Sequence, residues 1–120
     1  MNAEPPRLPA LTPLLRQALA AAGRFRWQLR GRSMTPTLPP MCQIEAIPPP
    51  ALPPLGALAV FVADDRLIAH RLVGRVGGRW VTQGDGWLAP DAPLTAAQIV
   101  GLVAAAYRDG RRCWPGPAER

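Results

Sequence analysis

Residues 57–83 read ALAVFVADDRLIAHRLVGRVGGRWVTQ, three apolar-rich runs divided by Asp64-Asp65 and by Gly77-Gly78. Runs rich in Val, Ile, Leu and aromatic residues favour strands. Breaks of only two residues leave no room for a crossover, so neighbouring runs must pair antiparallel. The stretch predicts strands over 57–63, 67–76 and 79–83, with a turn at the aspartates and a tight hairpin at the glycines. A chain of 120 residues has room for one such sheet and one modest core.

The flanking segments fit that frame. Phe25, Trp27 and Leu29 alternate with Arg24, Arg26, Gln28 and Arg30, a period of two that predicts a strand with one apolar face. A further strand is expected over 43–47, followed by PPPALPP as a stiff extended linker lacking ladder donors at its prolines. Thr12 and Pro13 resemble a helix cap and first position, and Gly23 a stop. Leu14, Leu15, Ala18, Leu19 and Ala22 give that helix, expected over 13–22, an apolar face for packing on the domain. Weak contact with a membrane surface is the second use open to the same face. Residues 99–107 are apolar enough for a strand or a short helix. The expectation is a mostly β fold with a short N-terminal helix: one domain over 11–110, a flexible Pro-rich segment over 1–10 and a frayed tail over 111–120.

Composition removes several functions. The net charge is +6, yet all fourteen basic residues are arginine, in a chain dominated by Arg, Ala, Gly and Pro. Such a bias reflects codon usage more readily than a nucleic-acid footprint. No arginine run is interleaved with aromatics as in a nucleic-acid module, so no nucleic-acid partner is expected. No stretch approaches the roughly 20 apolar residues of a membrane span. The first residues lack a basic segment followed by an apolar core, so no secretory signal is expected and the cytoplasm is the expected location. Cys42 and Cys113 are far apart in a chain with a single histidine, so neither a metal site nor a cofactor is expected, and both are read as free thiols.

The chemistry concentrates on few residues. The stretch GRSMTPTLPP puts Ser33 between a strand and a proline-stiffened segment, with Gly31 before it and Pro36 and Pro39 after it. A turn serine does not need such rigidity; a positioned nucleophile does. A serine nucleophile needs a base working near neutral pH. With no lysine in the chain, His70, the only imidazole, is the base available to Ser33. Such a base is usually oriented by a carboxylate, and Asp85 and Asp91 lie in the loop that follows the third run.

These blocks, GRSMTPTL, AHRLVGRV and TQGDGWLAPD in that order, resemble the signal peptidase family and its LexA-type relatives over about residues 25–107. The resemblance implies a mostly β peptidase fold with Ser33 as nucleophile. AHRLV is similar to the histidine-bearing run of the archaeal and endoplasmic-reticulum branch, which implies His70 as base. The six-residue spacing of Asp85 and Asp91 is also similar to that branch, whose later aspartate completes the triad. Asp91 is therefore the expected orienting residue and Asp85 a structural or secondary one. Asp85 sits between Gly84 and Gly86, where a carboxylate commonly fixes a turn.

The resemblance further implies an extended peptide or precursor-protein substrate, cut after a small residue. It would lie in a shallow groove walled by the strand before Ser33 and the strand carrying His70. Leu29, Gly31, Met34, Pro36, Ile68 and Ala69 are the expected contacts. The chain departs from the family where PPMCQ replaces Pro-Gly-Asp, where PLGALAV replaces a second Gly-Asp, and in QGDGW, and no anchor segment is expected. Two alternatives stay open: an inactive peptide-binding module of the same fold, and a self-processing LexA-type switch cut at Ala22-Gly23.

Overall fold

Three two-residue turns shape the sheet. In the computed structural model, which describes residues 10–116, Asp64 and Asp65 have φ of 52° and 57°, Gly77 and Gly78 57° and 77°, and Asp109 and Gly110 52° and 76°. Paired left-handed residues match the twist of the strands they join, and Asp and Gly are the residues that adopt this conformation most readily. The first two turns join β3 (Leu58–Ala63) to β4 (Arg66–Val76) and β4 to β5 (Arg79–Gln83). The third joins β6 (Ile99–Arg108) to β7 (Arg111–Trp114).

With β1 (Phe25–Gln28) and β2 (Gln43–Ile47), these strands form one antiparallel sheet in the order β1-β2-β6-β3-β4-β5, with β7 also paired to β6. The fold is mostly β with one short helix. Three sequence expectations change in detail. Residues 99–107, left open between strand and helix, lie in β6. Residues 111–114, expected to fray, pair with β6 because Asp109-Gly110 turns the chain back in register, Arg108 opposite Arg111. Residues 1–9 and 117–120 of the expected flexible ends lie outside the described residues.

The third change is at the helix. Helix α1 (Leu11–Ala22) begins before Thr12, whose side chain is buried and makes no capping bond. Pro13 falls in the first turn, where its missing N–H has no intrahelical partner to lose. Gly23 ends the helix in the left-handed conformation as expected, its N–H bonded to Leu19 O. The buried stripe is Thr12, Leu15 and Leu19, whereas Leu14, Ala18 and Ala22 face out. On the flank of that stripe the Arg16 guanidinium donates to Ile99 O at 2.5 Å, linking the helix to β6.

β3 is buried on both faces, which explains its unbroken apolar run. Leu58, Val60 and Val62 join one core cluster with Leu19, Met34, Ile44 and Val103. Ala59 and Phe61 join a second with Leu72, Trp80, Leu94 and Ile99. Both cysteines are unbridged. Burial, with the neighbouring Cys113, pushes the Cys42 thiol up to about 11. Only the thiolate is nucleophilic, so Cys42 in the native protein is expected to resist alkylation at neutral pH, while half-buried Cys113 reacts. Peptide mapping after a short iodoacetamide pulse reads this directly, and rapid modification of Cys42 would contradict it.

Candidate active site

Among the open edges of the sheet are those of β4 and β1. β5 pairs only with residues 71–76 of β4, so residues 66–70 have β3 on one side and no strand on the other. β1 is the other terminal strand, paired only with β2. A groove of about 640 Å³ lies between these edges, lined on one wall by residues 27–33 and on the other by residues 63–70. Gly86 and Trp87 line it as well.

Ser33 and His70 meet at the groove. The Ser33 hydroxyl lies 2.8 Å from His70 Nε2, and His70 Nδ1 lies 2.5 Å from Asp91 Oδ2. A carboxylate only accepts, so Nδ1 carries the proton and Nε2 is left to accept from Ser33. Asp91 is fixed by one residue twice over: Thr82 Oγ1 donates to its Oδ2, and its own N–H donates to Thr82 O, both at 2.8 Å. Thr82 is fully buried on β5, and β5 runs beside the β4 residues that follow His70.

Asp85 is engaged elsewhere. It receives two bonds from Arg71, at 2.9 and 2.8 Å, and one from Thr37 at 2.5 Å. It thereby ties the segment after Ser33 to β4. The Arg71 guanidinium, helped by the Thr37 hydroxyl, holds its carboxyl below the usual carboxylate range, against the opposing effect of burial. A depressed folded value means that the ionised form stabilises the fold. That contribution is fully present above the unfolded carboxylate's value of about 3.9 and is lost as pH falls through the lower folded value. Asp85→Asn is therefore expected to cost about 1–2 kcal/mol at neutral pH and to flatten the melting temperature against pH below about pH 4. An acid limb as steep as wild type would show that Asp85 does not supply it.

The segment carrying Ser33 is held by the loop of residues 84–86. Gly86 N–H donates to Ser33 O at 2.8 Å, and Asp85 N–H points to Met34 Sδ at 3.3 Å. Gly84 packs directly on the pair: a Cβ there would sit 2.5 Å from Ser33 O, 3.0 Å from Ser33 Cβ and 3.2 Å from His70 Nε2. Gly84→Ala is expected to push Ser33 away from His70. It should lower turnover at least about tenfold and cost about 1–3 kcal/mol of stability. Turnover per folded molecule is the measurement, and an unchanged value would show that the contact relaxes freely.

Of the expected groove contacts, Leu29, Gly31, Ile68 and Ala69 line it. Met34 and Pro36 do not. Met34 is packed in the core, and Pro36 lies beyond the groove wall where the chain has turned away. Thr82, Gly84, Gly86 and Trp87 escaped the sequence reading. Thr82 shares a strand face with Trp80, and that alternation was the signal available for it. Among the described residues, no three His, Cys, Asp or Glu side chains gather as a metal site. No described helix is long and apolar enough to cross a membrane. No family model matches the chain, and no curated protein matches it at a significant level.

Proposed function

We propose that this chain is a serine endopeptidase that cleaves an extended peptide or precursor protein through Ser33, His70 and Asp91, in the manner of the signal peptidase and LexA-type enzymes it resembles. The observation that carries the reading is the unbroken relay from Asp91 through His70 to Ser33, opening onto a groove between two unpaired strand edges. A peptide entering as a strand would satisfy those edges with its own backbone groups.

The chemistry follows from the hydrogen bonds. Ser33 Oγ attacks the scissile carbonyl carbon while its proton passes to His70 Nε2. Asp91 stabilises the imidazolium and keeps the ring from turning. The negative charge moves to the former carbonyl oxygen. The Ser33 N–H is a donor placed on the same residue to receive it. His70 then delivers its proton to the leaving nitrogen as the carbon–nitrogen bond breaks, leaving an ester on Ser33. Water, deprotonated by His70, hydrolyses that ester and regenerates the hydroxyl.

Cleavage in trans is favoured over self-processing. β1 starts two residues after Gly23 and is paired with β2 along its whole length. Bringing the Ala22-Gly23 bond to Ser33 would require stripping that strand from the sheet. Incubation with a randomised peptide library, read by mass spectrometry, tests the proposal. Cleavage after a small residue is expected, and an untouched library would contradict it.

A further inference from the structure

His70 has two aromatic neighbours, and they differ in exposure. Phe61 meets the imidazole edge-on at 5.9 Å between ring centroids and is 3% exposed. Trp87 meets it edge-on at 5.5 Å and is 54% exposed. The imidazole itself is 3% exposed. A molecule reaching His70 from solvent therefore meets Trp87 and not Phe61. Trp87 is also held in place: its N–H donates to Gly84 O at 2.9 Å, and Gln83 Nε2 donates to its carbonyl at 2.8 Å. An indole this exposed forfeits burial that would stabilise the fold, which needs a reason.

Peptide cleavage supplies one. His70 Nδ1 is occupied by Asp91, so Nε2 alone can deliver the proton to the departing amine. That nitrogen must come within about 3 Å of Nε2. The residue bearing it, the first on the leaving side of the broken bond, then passes within reach of the ring that borders His70 on the solvent side. On the strength of the peptidase reading above, we infer that Trp87 forms the leaving-side subsite of this enzyme and selects an apolar side chain on the residue that follows the scissile bond. The face of the indole offers flat apolar surface to such a side chain and no hydrogen-bond acceptor for a polar one.

The test uses two readouts. A fluorophosphonate carries no peptide leaving segment, so its labelling of Ser33 counts assembled active sites in each variant. Peptides that differ only in the residue after the scissile bond, Leu or Phe against Ser or Asp, give the selectivity as a ratio of kcat/KM per labelled site. Wild type is expected to prefer the apolar peptides by tenfold or more, the discrimination typical of one apolar contact. Trp87→Ala should bring the ratio near unity and Trp87→Phe should keep most of it. Selectivity for the residue before the bond should not move in either variant. If Trp87→Ala does not label, Trp87→Gln, which keeps bulk without the ring, takes its place with the same expected ratio. Labelling with an unchanged ratio overturns the subsite alone. Failure of wild-type protein to label or to cleave any peptide overturns the peptidase reading and the subsite with it.

Discussion

Ser33→Ala is expected to abolish peptide cleavage, lowering kcat by at least about 10⁴-fold, while the circular dichroism spectrum and melting temperature stay close to wild type. The asymmetry follows from what the hydroxyl touches. Among the described residues it bonds to His70 Nε2, and the groove beside it lets water take that place. The carbonyl of residue 33, which receives the Gly86 N–H, is retained by alanine. Cleavage persisting in the variant at more than a few per cent would remove Ser33 as the nucleophile.

Asp91→Asn is expected to be nearly as damaging by a different route. An amide in place of the carboxylate can donate to Nδ1, and the ring then holds its proton on Nε2, where it faces Ser33. Such a ring cannot accept the serine proton. The expected result is a fall in kcat of about 10³–10⁴-fold with a small change in KM. The melting temperature should move little, since the Asp91 N–H bond to Thr82 O is unaffected and the Thr82 hydroxyl, which donates to the carboxylate, can turn to accept from the amide. Asp85→Asn should show the opposite balance: lower stability, and activity that follows the amount of folded protein. Turnover near wild type in Asp91→Asn, with Asp85→Asn folded but inactive, would move the orienting role to Asp85.

The mostly β fold with its short N-terminal helix was legible in the sequence, and so were three side chains that the fold brings within hydrogen-bond reach of one another. His70 stood out because the chain offers one imidazole and no lysine, Ser33 because of the proline-stiffened segment after it, and Asp91 only through the spacing of the family it resembles. The hairpins at Asp64-Asp65 and Gly77-Gly78 were legible because their turn residues stand between strong strand formers. The Asp109-Gly110 turn carried the same signal. The prolines and arginines after it hid β7, although Arg111–Trp114 needs only the free edge of β6. The helix was placed by its apolar residues, yet which of them face the core depends on what it packs against, including β6, whose Ile99 carbonyl 83 residues away accepts from Arg16. No local pattern records a contact of that kind. Met34 was misplaced for a related reason: sequence adjacency to a nucleophile does not say which way a side chain points, and here it points into the core. Thr82 and Trp87 act through the sheet register and the loop path, which exist only once the strands have paired.

The central claim is that His70, oriented by Asp91, activates Ser33. Mass spectrometry of the intact protein and of its tryptic peptides after reaction with a fluorophosphonate tests it most directly. Wild type should gain one phosphonyl group, located on Ser33. The adduct should be absent from Ser33→Ala and formed orders of magnitude more slowly in His70→Ala. No adduct on Ser33 in the wild-type protein, or an equal rate of labelling in His70→Ala, would contradict the account.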